Sequence, residues 1–300
     1  MLRATSIEDR RLIFDYVKNA DLRFIMLSVL FGILSHLSRA YRWKFMLAPL
    51  GYKPRFVNTI LAVLIAYVAN LGIPRSGEIL RATTLSSYEK IPFEKSFGTI
   101  IAERLVDLIF LLSFIFLALI LQYDLIWQVL KEKQISLSTI IAAAVIAMTT
   151  FICLKFLFEK NHSKPINRIK TFLKGLGEGI LSFKSMTNKG AFLLHTVFIW
   201  IMYVAMFYVI KWTVPEVENL GLSALLPAFV IGGLTISATN GGIGIYPFAV
   251  ALMLSAFGIS NESGLAFGWI VWTSQTFMII LFGRLSFFVL PLVNHKKNNL

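Results

Sequence analysis

Apolar runs long enough to cross a bilayer recur along this 300-residue chain, with only short polar connections between most of them. A helix needs about 20 apolar residues to span the roughly 30 Å hydrocarbon core. Inside that core every backbone amide must find its partner within the protein, which favours helices. The runs fall at about Leu22–Leu37, Phe56–Ile73, Ser96–Leu121, Leu137–Phe158, Ala191–Ile210, Leu222–Ala238, Tyr246–Phe257 and Gly264–Val293. They predict an all-α fold: a polytopic integral membrane helical bundle of about seven to eight membrane segments, with re-entrant or broken helices, forming one transmembrane domain over residues 1–300. Hydrophobic residues make up 57% of the chain and charged residues 15%. That balance leaves no stretch for an independent soluble domain.

The charge is lopsided, with 29 Lys and Arg against 16 Asp and Glu. In a membrane protein such an excess reads as loops that set topology and lie against anionic headgroups, so no nucleic-acid partner is expected. The lone Cys153 excludes an internal disulfide and any CxxC motif. His36 and His195 lie near expected helix ends without HxxxH or HExxH spacing, no Lys-Ser/Thr follows the glycines near Gly241, and no GxSxG elbow occurs, so no metal, cofactor or catalytic residue is expected. Trp127, Trp200, Trp212, Trp269 and Trp272 read as interfacial anchors. The first twenty residues lack an apolar core and are not expected to be a cleaved signal.

The basic stretch from Glu159 to Lys189 is expected on the cytoplasmic side, and Lys211–Asn219, with Glu216 and Glu218, outside. Counting back places Arg75–Lys95 on the cytoplasmic side as well. Upstream the rule contradicts itself, because the N-terminal tail and Arg39–Arg55 are both basic yet flank one span. Either the segment 56–74 fails to cross fully, or Arg39 and Arg42 are held at lipid headgroups; the sequence leaves both open.

Two clusters carry the chemistry. The first is Asn70, Pro74, Arg75, Gly77, Glu78 and Arg81, followed by Glu103, Arg104 and Asp107. An ionised side chain in hydrocarbon costs at least about 2.5 kcal/mol on insertion scales, so such a concentration requires pairing or water. Glu78 and Arg81 at i, i+3, and Glu103 and Asp107 at i, i+4, each share a helix face. Guanidiniums fork onto phosphate oxygens while carboxylates orient them and accept an ammonium, a combination that suits an anionic or zwitterionic lipid headgroup. The plain alternative for Glu78 and Arg81 is an interfacial helix start whose charges neutralise each other. The second cluster is Asn240, Gly241, Gly242 and Gly244 between two short apolar pieces, with Pro247 after it. It predicts either the turn of a re-entrant hairpin, with helix N-termini facing an anion, or a plain inter-helix turn.

In order and spacing, Arg39-Ala-Tyr-Arg42-Trp43, Asn70-Leu-Gly-Ile-Pro74-Arg75-Ser-Gly77-Glu78-Ile-Leu-Arg81 and Glu103-Arg104-Leu-Val-Asp107 resemble the flippase-like transmembrane region of the lysylphosphatidylglycerol synthase family. The glycine motif near Gly241 is similar in position. Asn240 stands where that family commonly has proline, and Pro247 where it has a glutamate, so a role built on a second carboxylate does not carry over. The aminoacyl-transferring members carry a large soluble domain after the membrane region, and none follows here before Leu300. The resemblance therefore implies translocation of a lipid or lipid-linked molecule, not aminoacyl transfer.

Together these readings predict a non-enzymatic, multi-pass protein of the bacterial inner (cytoplasmic) membrane that moves an anionic or modified phospholipid or a lipid-linked intermediate. Arg75, Arg81 and Arg104 are expected on phosphate, oriented by Glu78, Glu103 and Asp107, with Asn70, Pro74 and Gly241–Gly244 shaping the breaks. Membrane lipids are the expected partners; a second copy of the chain or an envelope-synthesis partner stays open. The alternative is a membrane-embedded enzyme, or an accessory subunit, of envelope lipid or glycan synthesis in which Glu103 and Asp107 act on a lipid phosphate. A purely structural partner is the third.

Overall fold

The computed structural model describes residues 7–73, 75–123, 178 and 181–295, and all regular structure among them is helical. The expected run 137–158, the basic loop before residue 178, Trp127, Cys153 and Pro74 lie outside the described residues. In chain order the helices are α1 (Ile7–Asn19), α2 (Leu22–Leu47), α3 (Phe56–Gly72), α4 (Ser76–Glu89), α5 (Phe93–Leu121), α6 (Lys189–Tyr208), α7 (Leu222–Ala238), α8 (Tyr246–Ser255) and α9 (Asn261–Asn294). A 3-10 turn extends α2 to Leu50, another extends α6 to Thr213, and a single helical turn covers Pro215–Glu218. Among the described residues α2, α5, α6 and α9 are long and apolar enough to cross a membrane.

The remaining apolar helices are half-length and fold back. α3, at 17 residues, falls short of the usual length of a crossing. After the break at Ile73–Arg75, α4 returns antiparallel along it. The hairpin closes at its base, where the Glu89 carboxylate accepts from Arg55 N–H and from the Asn58 amide. Asn58 exchanges two further amide hydrogen bonds with Asn294 at the end of α9, at 3.0 and 2.9 Å. The α3–α4 hairpin therefore begins and ends at one face, while the N-terminal tail and the Arg39–Arg55 stretch lie at opposite ends of α2, so one of the two basic stretches still departs from the charge rule.

α7 and α8 form a second hairpin entering from the opposite face. Its base is fixed by Glu216, which accepts from Ser260 N–H and Ser260 Oγ–H, both at 3.0 Å. Hydrogen bonds from the Ser260 backbone, then from its hydroxyl, hold the Glu216 carboxyl below its ordinary range against the opposing effect of burial. α8 lies close along α9 because Gly264 and Gly268, one turn apart, meet the backbone of Ala251 and Pro247, leaving no room for side chains.

Each hairpin has its own apolar core. Trp43, Leu47, Ala62, Ala82, Leu85, Ile100 and Phe192 surround the first. Phe207, Ile210, Leu225, Val250, Leu254 and Phe267 surround the second. α2 runs past both, and 47 rather than 37 is the end of its α-helical part. Arg39 and Arg42 are consequently interior residues, 2% and 0% exposed, not a headgroup-level helix end. His36 is likewise buried within α2, its ring tilted by 47° against that of Tyr67 with the centroids 4.3 Å apart. Trp200 packs inside the bundle on Phe110 and Phe114, and Trp272 reaches the second hairpin's turn, so neither is an interfacial anchor. Trp212, partly exposed beside Phe24, keeps that reading.

Candidate functional site

Glu103 and Asp107 project from one face of α5, and their shared partners are the two arginines of α2. Arg39 Nη1 donates to Glu103 Oε1 at 2.6 Å and to Asp107 Oδ2 at 2.7 Å. Arg42 Nη1 donates to Asp107 Oδ1 at 2.9 Å and to Thr196 Oγ1 of α6 at 2.8 Å. Arg42 Nη2 lies 3.0 Å from Glu103 Oε1, a Coulombic contact without hydrogen-bond alignment. From α4, Arg81 forks onto Glu103 with Nη1 at 3.2 Å and Nη2 at 3.0 Å. One fully buried carboxylate thus faces three guanidiniums.

Aromatic rings complete the cage. The Arg81 guanidinium lies 3.8 Å from the Trp43 ring centre and that of Arg42 lies 5.0 Å from Phe192. Such stacking is worth about 2 kcal/mol when desolvated. Trp43 is itself fixed by its Nε1–H donating to Thr99 Oγ1 at 2.8 Å. On the other side Arg39 Nη2 donates to Tyr203 OH at 3.2 Å, and Tyr203 OH lies 3.0 Å from Tyr67 OH.

Glu78 does not pair with Arg81, three residues away. It receives Arg104 Nη2 at 2.9 Å and, weakly, the Asn70 amide at 3.4 Å. Asn70 Oδ1 accepts Gly77 N–H at 2.8 Å and so staples the end of α3 to the start of α4. Gly77 is required there, because a Cβ would collide with the Ala66 carbonyl. A small, partly open pocket is lined by Arg39, Val63, Ala66, Tyr67, Asn70, Glu78, Arg81 and Arg104. Four arginines (39, 42, 81, 104) against three carboxylates (78, 103, 107) leave one positive charge in excess. Nε of Arg39 and of Arg81 make no hydrogen bond among the described residues.

The structure therefore gathers Arg39, Arg42, Asn70, Gly77, Glu78, Arg81, Glu103, Arg104 and Asp107, and leaves Arg75, Asn240, Gly241, Gly242 and Gly244 elsewhere. Arg75 is exposed at the turn of the first hairpin in a left-handed conformation (φ 60°) and makes no ion pair among the described residues. Asn240, Gly241, Gly242 and Gly244 form the turn of the second hairpin, with the three glycines at φ 65°, 78° and 73°. The sequence reading missed Thr196, Tyr67 and Tyr203, whose chain positions give no hint of convergence.

Comparison with known proteins agrees with this architecture. The family model described as the lysylphosphatidylglycerol synthase transmembrane region matches residues 9–283. The chain belongs to this family. A UPF0104 membrane protein of Methanocaldococcus jannaschii is 24% identical over 307 residues, covering 92% of this chain and 83% of that one. A UPF0104 membrane protein of Pyrococcus horikoshii is 32% identical over 145 residues, covering 45% and 42%. No solved structure matches the chain. This family member is a multi-pass membrane protein whose three charged motifs meet in a single ion cluster.

Proposed function

We propose that the chain binds the anionic headgroup of a phospholipid or lipid-linked molecule at the Arg39–Arg81–Arg104 pocket and moves it between the leaflets of the cytoplasmic membrane. The observation that carries this reading is the uncompensated positive charge lining an opening beside a broken helix. Glu103, about 15 Å along α5 from Phe93, lies at a depth where bare charge is costly. Arg104 is the most exposed of the lining cations, with 42% of its side chain open. It is flanked on α5 by exposed Leu105 and Leu108, so a lipid reaches it sideways from the bilayer. Half-helices ending within the bundle are the parts from which transporters build such sites.

The enzymatic alternative has less support, because Glu103 and Asp107 are already saturated by guanidiniums and neither is poised to exchange a proton with substrate. Purified protein in liposomes containing fluorescent anionic phospholipid tests the proposal. Wild type is expected to move lipid to the opposite leaflet faster than protein-free vesicles, Arg104→Ala to lose most of that activity and Arg104→Lys to keep part of it. Equal rates for wild type and Arg104→Ala would remove the pocket from the mechanism.

A further inference from the structure

The two hairpins enter from opposite faces and meet at their turns. The Asn240 amide reaches the Gly72 carbonyl at 3.4 Å, and Gly241 seats against the Leu71 side chain. Each turn is firmly held within its own half. In the first, Asn70 Oδ1 binds Gly77 N–H, and Ser76 Oγ–H donates to the carbonyls of Ile73 and Ala69. In the second, Thr239 Oγ1 accepts Gly242 N–H at 3.0 Å, and Trp272 Nε1–H ties the Gly241 carbonyl to α9 at 2.8 Å. Among the described residues the turns are joined by one long hydrogen bond and an apolar contact. The weak contact thus lies between two rigid pieces, the arrangement from which hinged closures are made.

Its place gives it a role. Asn70 and Glu78, which line the arginine pocket, are within one helical turn of the tips. Past the tips, toward the face that holds Glu216, lie α7, α8 and their base. We propose that the Gly72–Asn240 junction is a gate, closed here, whose parting opens the arginine pocket to the Glu216 face. Asn240 is its latch and the Leu71–Gly241 contact its apolar seal. What passes rests on the lipid reading above; the gate itself is testable without transport.

The test uses the full chain in oriented membrane vesicles, with Cys153→Ser and a reporter cysteine at Ala66, which lines the pocket. A membrane-impermeant maleimide added from the Glu216 face should label the reporter slowly. Asn240→Ala should raise that rate about two- to tenfold, the weight of one neutral hydrogen bond. Gly72 has open space for a side chain, so Gly72→Cys with Asn240→Cys can be joined by a short cross-linker, which should reduce labelling from that face to background. A membrane-permeant maleimide should label every version, which controls for folding. Unchanged labelling in Asn240→Ala or in the cross-linked protein, or failure of the pair to cross-link, would overturn the gate. If the gate behaves as described but wild type moves no fluorescent anionic lipid, the lipid reading falls and the gate stands. If lipid moves equally fast with the tips joined, the gate falls and the lipid reading stands.

Discussion

Glu103 holds together three helices through three guanidiniums, and at 0% exposure it has no solvent to replace them. Removing one partner of a buried ion pair typically costs about 3–5 kcal/mol, because the remaining charge stays buried. Glu103→Gln leaves Arg39 and Arg42 with only Asp107 and Arg81 with no carboxylate partner. It is expected to lower thermal stability in detergent sharply, whereas Arg104→Ala at the pocket mouth should change it little; comparable melting of both variants would deny Glu103 this role. The i, i+4 spacing made the common face of Glu103 and Asp107 legible in the sequence. Their pairing with Arg39 and Arg42 was not legible, since Arg39-Ala-Tyr-Arg42-Trp43 has the composition of an interfacial helix end. Position along the chain reports nothing of what a neighbouring helix presents.

At the scale of helices, both breaks were readable because Asn, Gly and Pro punctuate otherwise apolar runs, and the structure places turns at 73–75 and 239–245. The charge pattern left open whether segment 56–74 fails to cross fully; the Arg55–Glu89 and Asn58–Asn294 contacts show that the chain from 56 to 89 returns to the face where it began. The second hairpin's base carries a pH signature. Glu216 has a folded-state value below the ordinary 4.5, so its bonds to Ser260 add stability above that value and lose it as pH falls through the depressed one. Wild type should therefore be more stable than Glu216→Gln near neutrality, with the difference vanishing in acid. A gap between the two melting curves that stays unchanged as the pH is lowered stepwise into acid would contradict this.

For the whole molecule, the described residues sort into two faces: Lys53, Arg55, Lys90 and Asn294 at one, Asp21, Glu216, Asn219 and Ser260 at the other. Single cysteines at Lys53 and Lys90 should label from the same side of the membrane, and one at Asn219 from the opposite side. Labelling of positions 53 and 90 from different sides would mean that only one arm of the first hairpin crosses the membrane. The sequence showed a bundle with two broken regions but not that they oppose each other, because tip-to-tip contact across 168 positions leaves no periodic trace.

The pairing of α2 with α5 also bears on how the protein is made. Arg39 and Glu103 are 64 residues apart, so the ribosome delivers two guanidiniums well before the acids that neutralise them. At about 2.5–3.5 kcal/mol per unmatched cation on insertion scales, the first span is a poor passenger by itself. Stable insertion of α2 is therefore expected to depend on the later arrival of α5, which supplies its counter-charges.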